Sequence, residues 1–231
     1  MADNIARVFA DAIATDPTRP LLTWYDDATG DRTELSGVTL ANWVAKTANL
    51  LVDEVGLAPG TPAGVLLPPH WQTAAVLLAC WSAKLSVVDT PGDVGVLFAA
   101  VDQFDEAQSW SADERYALGL APLAAPLRQV PPGFADYVVE VRGHGDHFTP
   151  QSGPGPTDAH LLGRAETRAT ELGILPGARV LIDAARHPDP VDWLLAPLTR
   201  AATVVLCANQ DPARLAARLT AEKVTHPLPL P

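Results

Sequence analysis

The spacing of apolar residues divides the chain into alternating helices and strands. In the helical segments apolar positions recur every three to four residues, whereas the strand segments are short apolar or alternating runs. In the first part this pattern predicts helices at 4–14, 38–54, 71–83 and 93–102, and strands at 21–25, 31–35, 63–67, 86–89 and 137–141. In the second part it predicts helices at 158–172, 190–199 and 212–222, and strands at 179–183 and 202–207.

Turn-forming residues connect these elements. Residues 26–30 join the first two strands as a hairpin. Segments 109–113, 122–133 and 143–156 are predicted to be loops, and the last of them is rich in glycine and proline. The tail at 225–231 cannot form a regular helix or a central strand, because its prolines lack a backbone donor.

A segment of about thirty-five residues occurs twice without a gap, 117 positions apart. Gly56-Leu57-Ala58-Pro59-Gly60 returns as Gly173-Ile174-Leu175-Pro176-Gly177, and His70 returns as His187. Each copy has the order strand, helix, strand, which predicts a βαβ unit with a right-handed crossover. We therefore predict an α/β fold with two pseudo-symmetric βαβ-containing subdomains and mainly parallel sheets.

The composition is that of an acidic globular protein. Hydrophobic residues make up 48% and charged residues 19% of the chain, and the formal net charge is −11 at pH 7. This charge repels phosphate backbones and anionic lipids, so neither a nucleic-acid nor a membrane partner is predicted. Residues 1–4 lack the basic start of a signal peptide, and no apolar run approaches the ~20 residues of a membrane span, which predicts a cytoplasmic protein. Cys80 and Cys207 lie in apolar runs and are predicted to be buried, reduced thiols.

The ordered set of short motifs along the chain resembles one superfamily. The motifs are Gly56-x-x-Pro59-Gly60-x-x-Ala63-Gly64, Leu195-Ala196-Pro197-Leu198 and Glu222-Lys223-Val224-Thr225-His226. Together they resemble the adenylate-forming superfamily of acyl-CoA synthetases and peptide-synthetase adenylation domains, over about the first half of such an enzyme. The resemblance implies two pseudo-symmetric subdomains, which would account for the repeat. The predicted domains are a first α/β subdomain with the N-terminal helix and hairpin at 1–142, a Gly/Pro-rich seam at 143–157, and a second, shorter α/β subdomain at 158–231.

The resemblance also implies a phosphate-binding loop at the seam. In the superfamily a Ser/Thr/Gly-rich loop ending in Pro-Lys holds ATP while a carboxylate is converted to an acyl-adenylate. The corresponding segment here keeps a vestigial set of cofactor-binding residues, Ser152, Gly153, Gly155 and Thr157.

Other features of this loop oppose triphosphate binding. The lysine is lost, Pro154 and Pro156 remove two amide donors, and Asp158 adds negative charge. The nearest cations along the chain, Arg142 and Arg164, lie outside the motif. We therefore predict no catalytic residues and no cofactor; ATP or AMP can enter such a loop, but turnover is not expected.

Three residues are candidates for a ligand crevice. His70 and His187 each follow a strand at the carboxyl edge of a parallel sheet, where open α/β folds bind ligands, and Asp183 lies near His187. The resemblance places His187 at an acyl-lining position. The alternative for each histidine is a structural role in a βα loop, and for Asp183, with Asp189 and Asp192, a charged rim rather than acid–base chemistry.

The histidines near the seam are candidates for a metal site. His144, His147 and His160 match no zinc-binding spacing, so a solvated loop is preferred and no metal is predicted.

Three functions follow from these observations. The leading hypothesis is a non-catalytic, truncated relative of the acyl-adenylate-forming enzymes that binds a small molecule (a nucleotide or acyl group) or a protein partner. The second is half of a split adenylating ligase that another chain completes. The third is a structural or interaction protein that forms a homo-oligomer through the face left by a missing second half.

Overall fold

The computed structural model describes residues 4–228. The strands are β1 Pro20–Asp26, β2 Asp31–Ser36, β3 Pro62–Leu66, β4 Ser86–Val88, β5 Asp93–Ala100, β6 Ser111–Leu118, β7 Ala135–Asp136, β8 Arg179–Asp183, β9 Thr203–Ala208 and β10 His226–Pro227. The α-helices are α1 Ile5–Ala14, α2 Gly37–Asn49, α3 Trp71–Ser82, α4 Phe104–Ala107, α5 Tyr137–Val141, α6 Asp158–Glu171, α7 Ala196–Thr199 and α8 Pro212–Ala221. Short π-helical segments lie at Leu50–Glu54 and Val191–Leu195, and short 3₁₀ turns at Val101–Gln103 and Pro122–Ala124.

These elements form two compact units. One unit comprises Leu40–Asp158, and the other comprises the chain up to Thr39 together with the segment from Ala159 onward. The predicted α/β class with mainly parallel sheets is confirmed, because each unit contains a five-stranded sheet.

The unit of residues 40–158 is built on an all-parallel sheet in the order β4-β3-β5-β6-β7. Every residue of α3 is buried, which explains why this helix is apolar on all sides. Trp71 at its start packs edge-on against Trp43, with ring centroids 5.3 Å apart. The tryptophan is therefore a core residue, as its position on an apolar helix predicts.

The other unit has the sheet order β10-β8-β9-β1-β2, in which only the β1–β2 hairpin is antiparallel. The sequence analysis placed this hairpin in the first subdomain, but β1 pairs in parallel with β9. The hairpin therefore belongs to the same sheet as the C-terminal strands. The proline-containing β10 is an edge strand, which fits the exclusion of this tail from central positions; residues 229–231 of the tail and 1–3 of the N-terminus lie outside the described residues.

The two copies of the repeated segment have the same strand register. Pro62 pairs with Ser86 in the first copy, and Arg179 pairs with Thr203 in the second, 117 positions later. The turns before β3 and β8 both use a glycine with positive φ, Gly60 at +86° and Gly177 at +72°, a conformation that other residues rarely adopt. The copies differ in the crossover, which is the continuous α3 in the first and a π-helical segment followed by α7 in the second.

Two predicted elements have the wrong type. Residues 93–102 were predicted as a helix, but Asp93–Ala100 is the central strand β5, which pairs with β3 and β6. A short run of apolar residues buried on both faces has no period that separates a strand from a helix. The predicted loop at 109–113 is correct up to Trp110, and β6 begins at Ser111.

The second error concerns Tyr137–Val141, which was predicted as a strand and is the helix α5. Its β-branched composition favours a strand, but Asp136 caps a helix here. The Asp136 Oδ1 atom accepts hydrogen bonds from the amides of Val138 at 2.8 Å and Val139 at 3.3 Å. The cap satisfies amides at the start of the helix and overrides the strand propensity.

Candidate functional site

The carboxyl edge of β8 and β9 lies where the chain reverses direction across the sheet. The connection from β8 leads to β9 on one side, whereas α8 returns from β9 to β10 on the other side of β8. In open α/β sheets such a reversal leaves a crevice outside the carboxyl ends of the strands, where ligands bind. The fold therefore predicts a site at this edge.

A cavity of about 250 Å³ is found there. Its apolar lining comes from β8, α8 and the end of the described chain, at Leu181, Leu215, Leu219, Pro227 and Leu228. Its polar lining comes from Asp183 at the end of β8 and from the loops that follow β8 and β9, at Arg186, His187 and Gln210. An apolar body with a few convergent polar groups is the usual composition of a small-molecule site.

His187 is held in one orientation by a chain of charged groups. Its Nδ1 lies 3.2 Å from Asp192 Oδ2, and the Asp192 carboxylate also accepts two hydrogen bonds from Arg168, at 2.7 and 2.8 Å. Burial alone would raise the pKa of Asp192, but the hydrogen bonds from Arg168 and His187 outweigh it and hold that pKa below its usual value.

This arrangement fixes the tautomer of the imidazole. Because the ionised Asp192 carboxylate can only accept hydrogen bonds, His187 Nδ1 carries the proton. Nε2 is an acceptor in the neutral ring and a donor in the imidazolium. No residue within 4–228 forms a hydrogen bond to it. Asp192 thus points inward to His187 and does not lie on the charged rim that the sequence analysis preferred for it.

The remaining polar groups of the cavity differ in how well they are satisfied. Asp183 accepts a hydrogen bond from the Ala185 amide at 3.0 Å and lies 3.2 Å from Arg186 Nε. Gln210 Oε1 is buried and has no hydrogen-bond partner among the described residues. A buried acceptor without a donor is unfavourable.

The structure brings together two of the three predicted crevice residues. His187 and Asp183 line the same cavity, whereas His70 lies in the other unit and is 1% exposed. His70 caps α3: its Nδ1 accepts a hydrogen bond from the Gln72 amide at 3.1 Å. Burial lowers the pKa of His70 to about 3, so the ring is neutral. His70 therefore has the structural role that was weighed as its alternative.

The sequence analysis did not identify Gln210 as a site residue. It follows β9 at the same sheet edge at which His187 follows β8. Its position after a strand was the one signal in the sequence that could have identified Gln210. Using that signal requires the order of the strands in the sheet, which a single sequence does not give.

The vestigial loop at 152–157 is occupied by groups of the chain itself. The Gly155 amide donates to Asp158 Oδ2 at 2.8 Å, and Asp158 is 1% exposed. Pro154 and Pro156 have no amide proton to offer. The carboxylate of Asp158 thus takes a donor that an anion at this loop would need.

A cation does reach this loop, which corrects the expectation drawn from Arg142 and Arg164. The Lys84 ammonium group donates a hydrogen bond to the Ser152 carbonyl oxygen. Arg142 instead donates to the Ala124 carbonyl at 2.9 Å, and Arg164 pairs with Asp189 at 2.5 Å. Lys84 follows α3 and has a φ of +59°. It anchors the loop although it lies 68 positions from Ser152 in the sequence.

Lys84→Ala is expected to release the loop without unfolding the unit. A hydrogen bond from a charged donor contributes about 1.5 kcal/mol, so hydrogen exchange at the amides of Ser152, Gly153, Gly155 and Thr157 should become roughly tenfold faster. Amide exchange measured by mass spectrometry tests this. Lys223→Ala is the matched control, because Lys223 is the other lysine with positive φ among the described residues. Equal exchange in both variants would show that Lys84 does not hold the loop.

The histidines near the seam make local contacts. His144 Nε2 lies 3.0 Å from Glu54 Oε2, and His147 Nε2 lies 3.3 Å from Thr149 Oγ1. Within residues 4–228, no group of three His, Cys, Asp or Glu side chains is arranged to hold a metal ion.

A protein of Mycobacterium tuberculosis resembles this chain over nearly its whole length. It is a TIGR03089 family protein, 43% identical over 230 residues that cover 94% of each chain. The chain belongs to the TIGR03089 family. No protein-family model matches the sequence.

Solved structures show what fold this TIGR03089 family member has. An acyl-CoA synthetase of Brucella canis superimposes with a TM-score of 0.71 at 15% identity, over 95% of this chain and 46% of the synthetase. A fatty acyl CoA synthetase of Mycobacterium tuberculosis gives 0.71 at 10% identity, over 96% of this chain and 48% of the other. The chain thus spans about half the length of these enzymes and has the fold of their N-terminal half, as the motifs predicted.

Between residues 4 and 228 there is no helix with the length and apolarity that a bilayer span requires.

Proposed function

We propose that this protein is a non-catalytic relative of the acyl-adenylate-forming enzymes and binds a small molecule in the cavity at the carboxyl edge of β8 and β9. The fold of an acyl-CoA synthetase N-terminal half supports the relationship. The cavity supports ligand binding, because apolar side chains there meet His187, Asp183 and Gln210.

The contact between Asp158 and Gly155 is the main support for the proposal that the protein is non-catalytic. Adenylate formation requires backbone donors and cations around a triphosphate, and this electrostatic stabilisation is usually the largest contribution to such catalysis. Here a buried carboxylate occupies a loop amide, and two of the loop residues are prolines. A phosphate group at this loop would approach the negative charge of Asp158, and at short range in a poorly solvated site that repulsion is strong.

ATP–pyrophosphate exchange with a panel of carboxylic acids tests this proposal. We expect no exchange above background for the purified protein, whereas an acyl-CoA synthetase assayed in parallel provides the positive control. Asp158→Asn is a useful companion, because it removes the charge and keeps the side-chain shape. Exchange by the unmodified protein that depends on a carboxylic acid would contradict the proposal.

A second candidate function is a split ligase. The chain corresponds to about half of each synthetase chain named above, which is the observation that favours this reading. It predicts co-purification with a second polypeptide and exchange activity only in the mixture. Exchange in the complex together with none in the isolated chain would favour the split ligase over the non-catalytic binding protein.

A further inference from the structure

We propose that two copies of this chain associate through strand β2, which pairs antiparallel with β2 of the second copy about a two-fold axis at Thr33. The contact joins the two five-stranded sheets edge to edge. It goes beyond the proposed function and does not depend on it, because no residue of β2 lines the cavity.

Strand β2 is the open edge of the two sheets. Their edge strands are β2, β4, β7 and β10. Among the described residues, β4 has three residues, β7 and β10 have two each, and β10 contains Pro227. Short strands and prolines prevent edge-to-edge pairing. Strand β2 has six residues and no proline, so it is the edge that retains this capacity.

The backbone groups of Arg32 and Glu34 face away from β1. The Asp27 amide, directly after β1, donates to the last residue of β9 at 3.1 Å. Since successive residues of a strand direct their backbone groups to opposite sides, Trp24 faces β2, where it lies opposite Thr33. Thr33 therefore bonds to β1, and its neighbours Arg32 and Glu34 present their N–H and C=O groups at the open edge.

A two-fold axis at Thr33 satisfies these groups. It places Arg32 opposite Glu34 of the second copy, and Glu34 opposite Arg32 of the second copy. Because both residues face outward, each pair exchanges two N–H···O=C hydrogen bonds. This is strand addition at a sheet edge, with an identical strand as the partner.

Charge selects this register. Arg32 and Glu34 lie on the same face of β2, and the axis at Thr33 sets opposite charges against each other in both pairs. An axis at Arg32 would oppose two arginines, and an axis at Glu34 would oppose two glutamates. Like charges directly opposite each other are destabilising, so both of these registers are disfavoured.

Both side chains keep an atom for the cross-strand contact. Within one copy Arg32 Nη2 lies 2.6 Å from Glu34 Oε2, and the side chains are 43% and 34% exposed. Among the described residues, none forms a hydrogen bond with Arg32 Nη1 or Glu34 Oε1. These atoms are therefore available to the opposite charges of the second copy.

Amide exchange measured by NMR at two protein concentrations tests the pairing. The Thr33 amide is already bonded to β1, whereas the amides of Arg32 and Glu34 face outward. At about 1 mM protein these two amides should exchange about fivefold more slowly than at about 20 µM, and Thr33 should not change. Sedimentation velocity over the same range should show a reversible dimer that added salt weakens.

Variants assign the dimer to the proposed charge pairs. Glu34→Arg opposes arginines in both pairs and should weaken association about tenfold. Glu171→Arg is the matched control, because it makes the same charge change at an exposed position on α6 and should associate as the unmodified protein does.

A mixture of two variants tests the register. Arg32→Glu should not associate with itself, but an equal mixture with Glu34→Arg restores opposite charges in both pairs and should associate like the unmodified protein. Arg32→Glu also loses a contact with Glu222 at 3.0 Å, so a melting curve first shows whether it is folded. If it is not, the comparison of Glu34→Arg with Glu171→Arg decides.

Several results would overturn this inference. One is a protein that sediments as a monomer up to about 1 mM. Another is a dimer in which Arg32 and Glu34 exchange their amide protons as fast as in the monomer, which would locate the contact elsewhere. Equal association of Glu34→Arg and Glu171→Arg, or protection of the two amides only after a different polypeptide is added, would also contradict it. Ligand binding in the cavity is unaffected by any of these results.

Discussion

Replacing Asp27 with alanine is expected to lower the free energy of unfolding by about 3–5 kcal/mol, because it leaves a buried arginine without its counter-charge. Asp27 follows β1, and Arg218 lies on α8; their side chains are 3% and 6% exposed. Two hydrogen bonds join them, at 2.5 and 3.0 Å, and the Arg218 guanidinium lies 4.2 Å from the centre of the Tyr25 ring. Urea denaturation at neutral pH measures the loss.

The control for this variant is Asp11→Ala. Asp11 pairs with Arg7 at 3.7 Å on α1, and both side chains are more than half exposed. Exposed pairs of this kind contribute about 0.3–0.5 kcal/mol, so this variant should be close to the unmodified protein. A double variant, Asp27→Leu with Arg218→Met, should recover much of the lost stability, since it removes both charges together. A loss below about 1 kcal/mol for Asp27→Ala would show that the pair does not hold α8.

The same ion pair connects stability to the proposed site. Arg218 lies between Leu215 and Leu219 on α8, and these two leucines line the cavity. Hydrogen bonds donated by Arg218 lower the pKa of Asp27, so Asp27 is ionised at neutral pH. The contribution of the ionised Asp27 to the free energy of unfolding is therefore complete above the ordinary carboxyl pKa of about 4. It is lost as the pH falls through the lower pKa that Asp27 has in the folded protein. Ligand binding that depends on α8 should weaken over the same pH range.

Sequence analysis predicted the fold well where an element has its own local signals. Residues 179–183 were predicted as a strand and form β8 with the same limits, because a short apolar run is bounded there by a Pro-Gly turn and a polar loop. The helix predicted at 158–172 is α6, one residue shorter. Both elements depend on signals within a few residues, which a single sequence contains.

The errors occur where distant residues decide the structure. Residues 93–100 are a strand because β3 and β6 pair with them on both sides, and a β-carbon at Gly95 would lie 2.5 Å from Thr61 Cγ2. The hairpin of β1 and β2 belongs to the C-terminal sheet because β1 pairs in parallel with β9. Neither pairing can be deduced from the spacing of apolar residues along the chain.

The candidate site was predictable to a similar degree. His187 was named because it follows a strand at the edge where α/β folds bind ligands, and Asp183 because it lies near His187. The contact of Lys84 with Ser152 and the unsatisfied Gln210 oxygen require three-dimensional neighbours, so sequence alone could not supply them. The charge around a loop therefore cannot be predicted by counting only the residues that are near it in sequence.

His70→Asn is expected to make the protein less sensitive to acid. The buried His70 has a pKa near 3, whereas an unfolded chain protonates this histidine near 6.5. Its neutral form thus contributes stability that is complete above pH 6.5 and is lost as the pH falls toward 3, since the unfolded state then binds a proton that the folded state does not. The loss is about 1.4 kcal/mol per pH unit, or about 2 kcal/mol by pH 5.

Asparagine isolates the titration from the helix cap. Its side-chain oxygen can accept the Gln72 amide as His70 Nδ1 does, but it does not ionise in this range. The unfolding free energy, measured in urea from pH 7.5 to 5, should therefore fall about 2 kcal/mol less in His70→Asn than in the unmodified protein. His160→Asn, at an exposed position on α6, should follow the unmodified protein. Parallel curves for His70→Asn and the unmodified protein would mean that the fold accommodates a charged His70, and that this helix start is open to water at low pH.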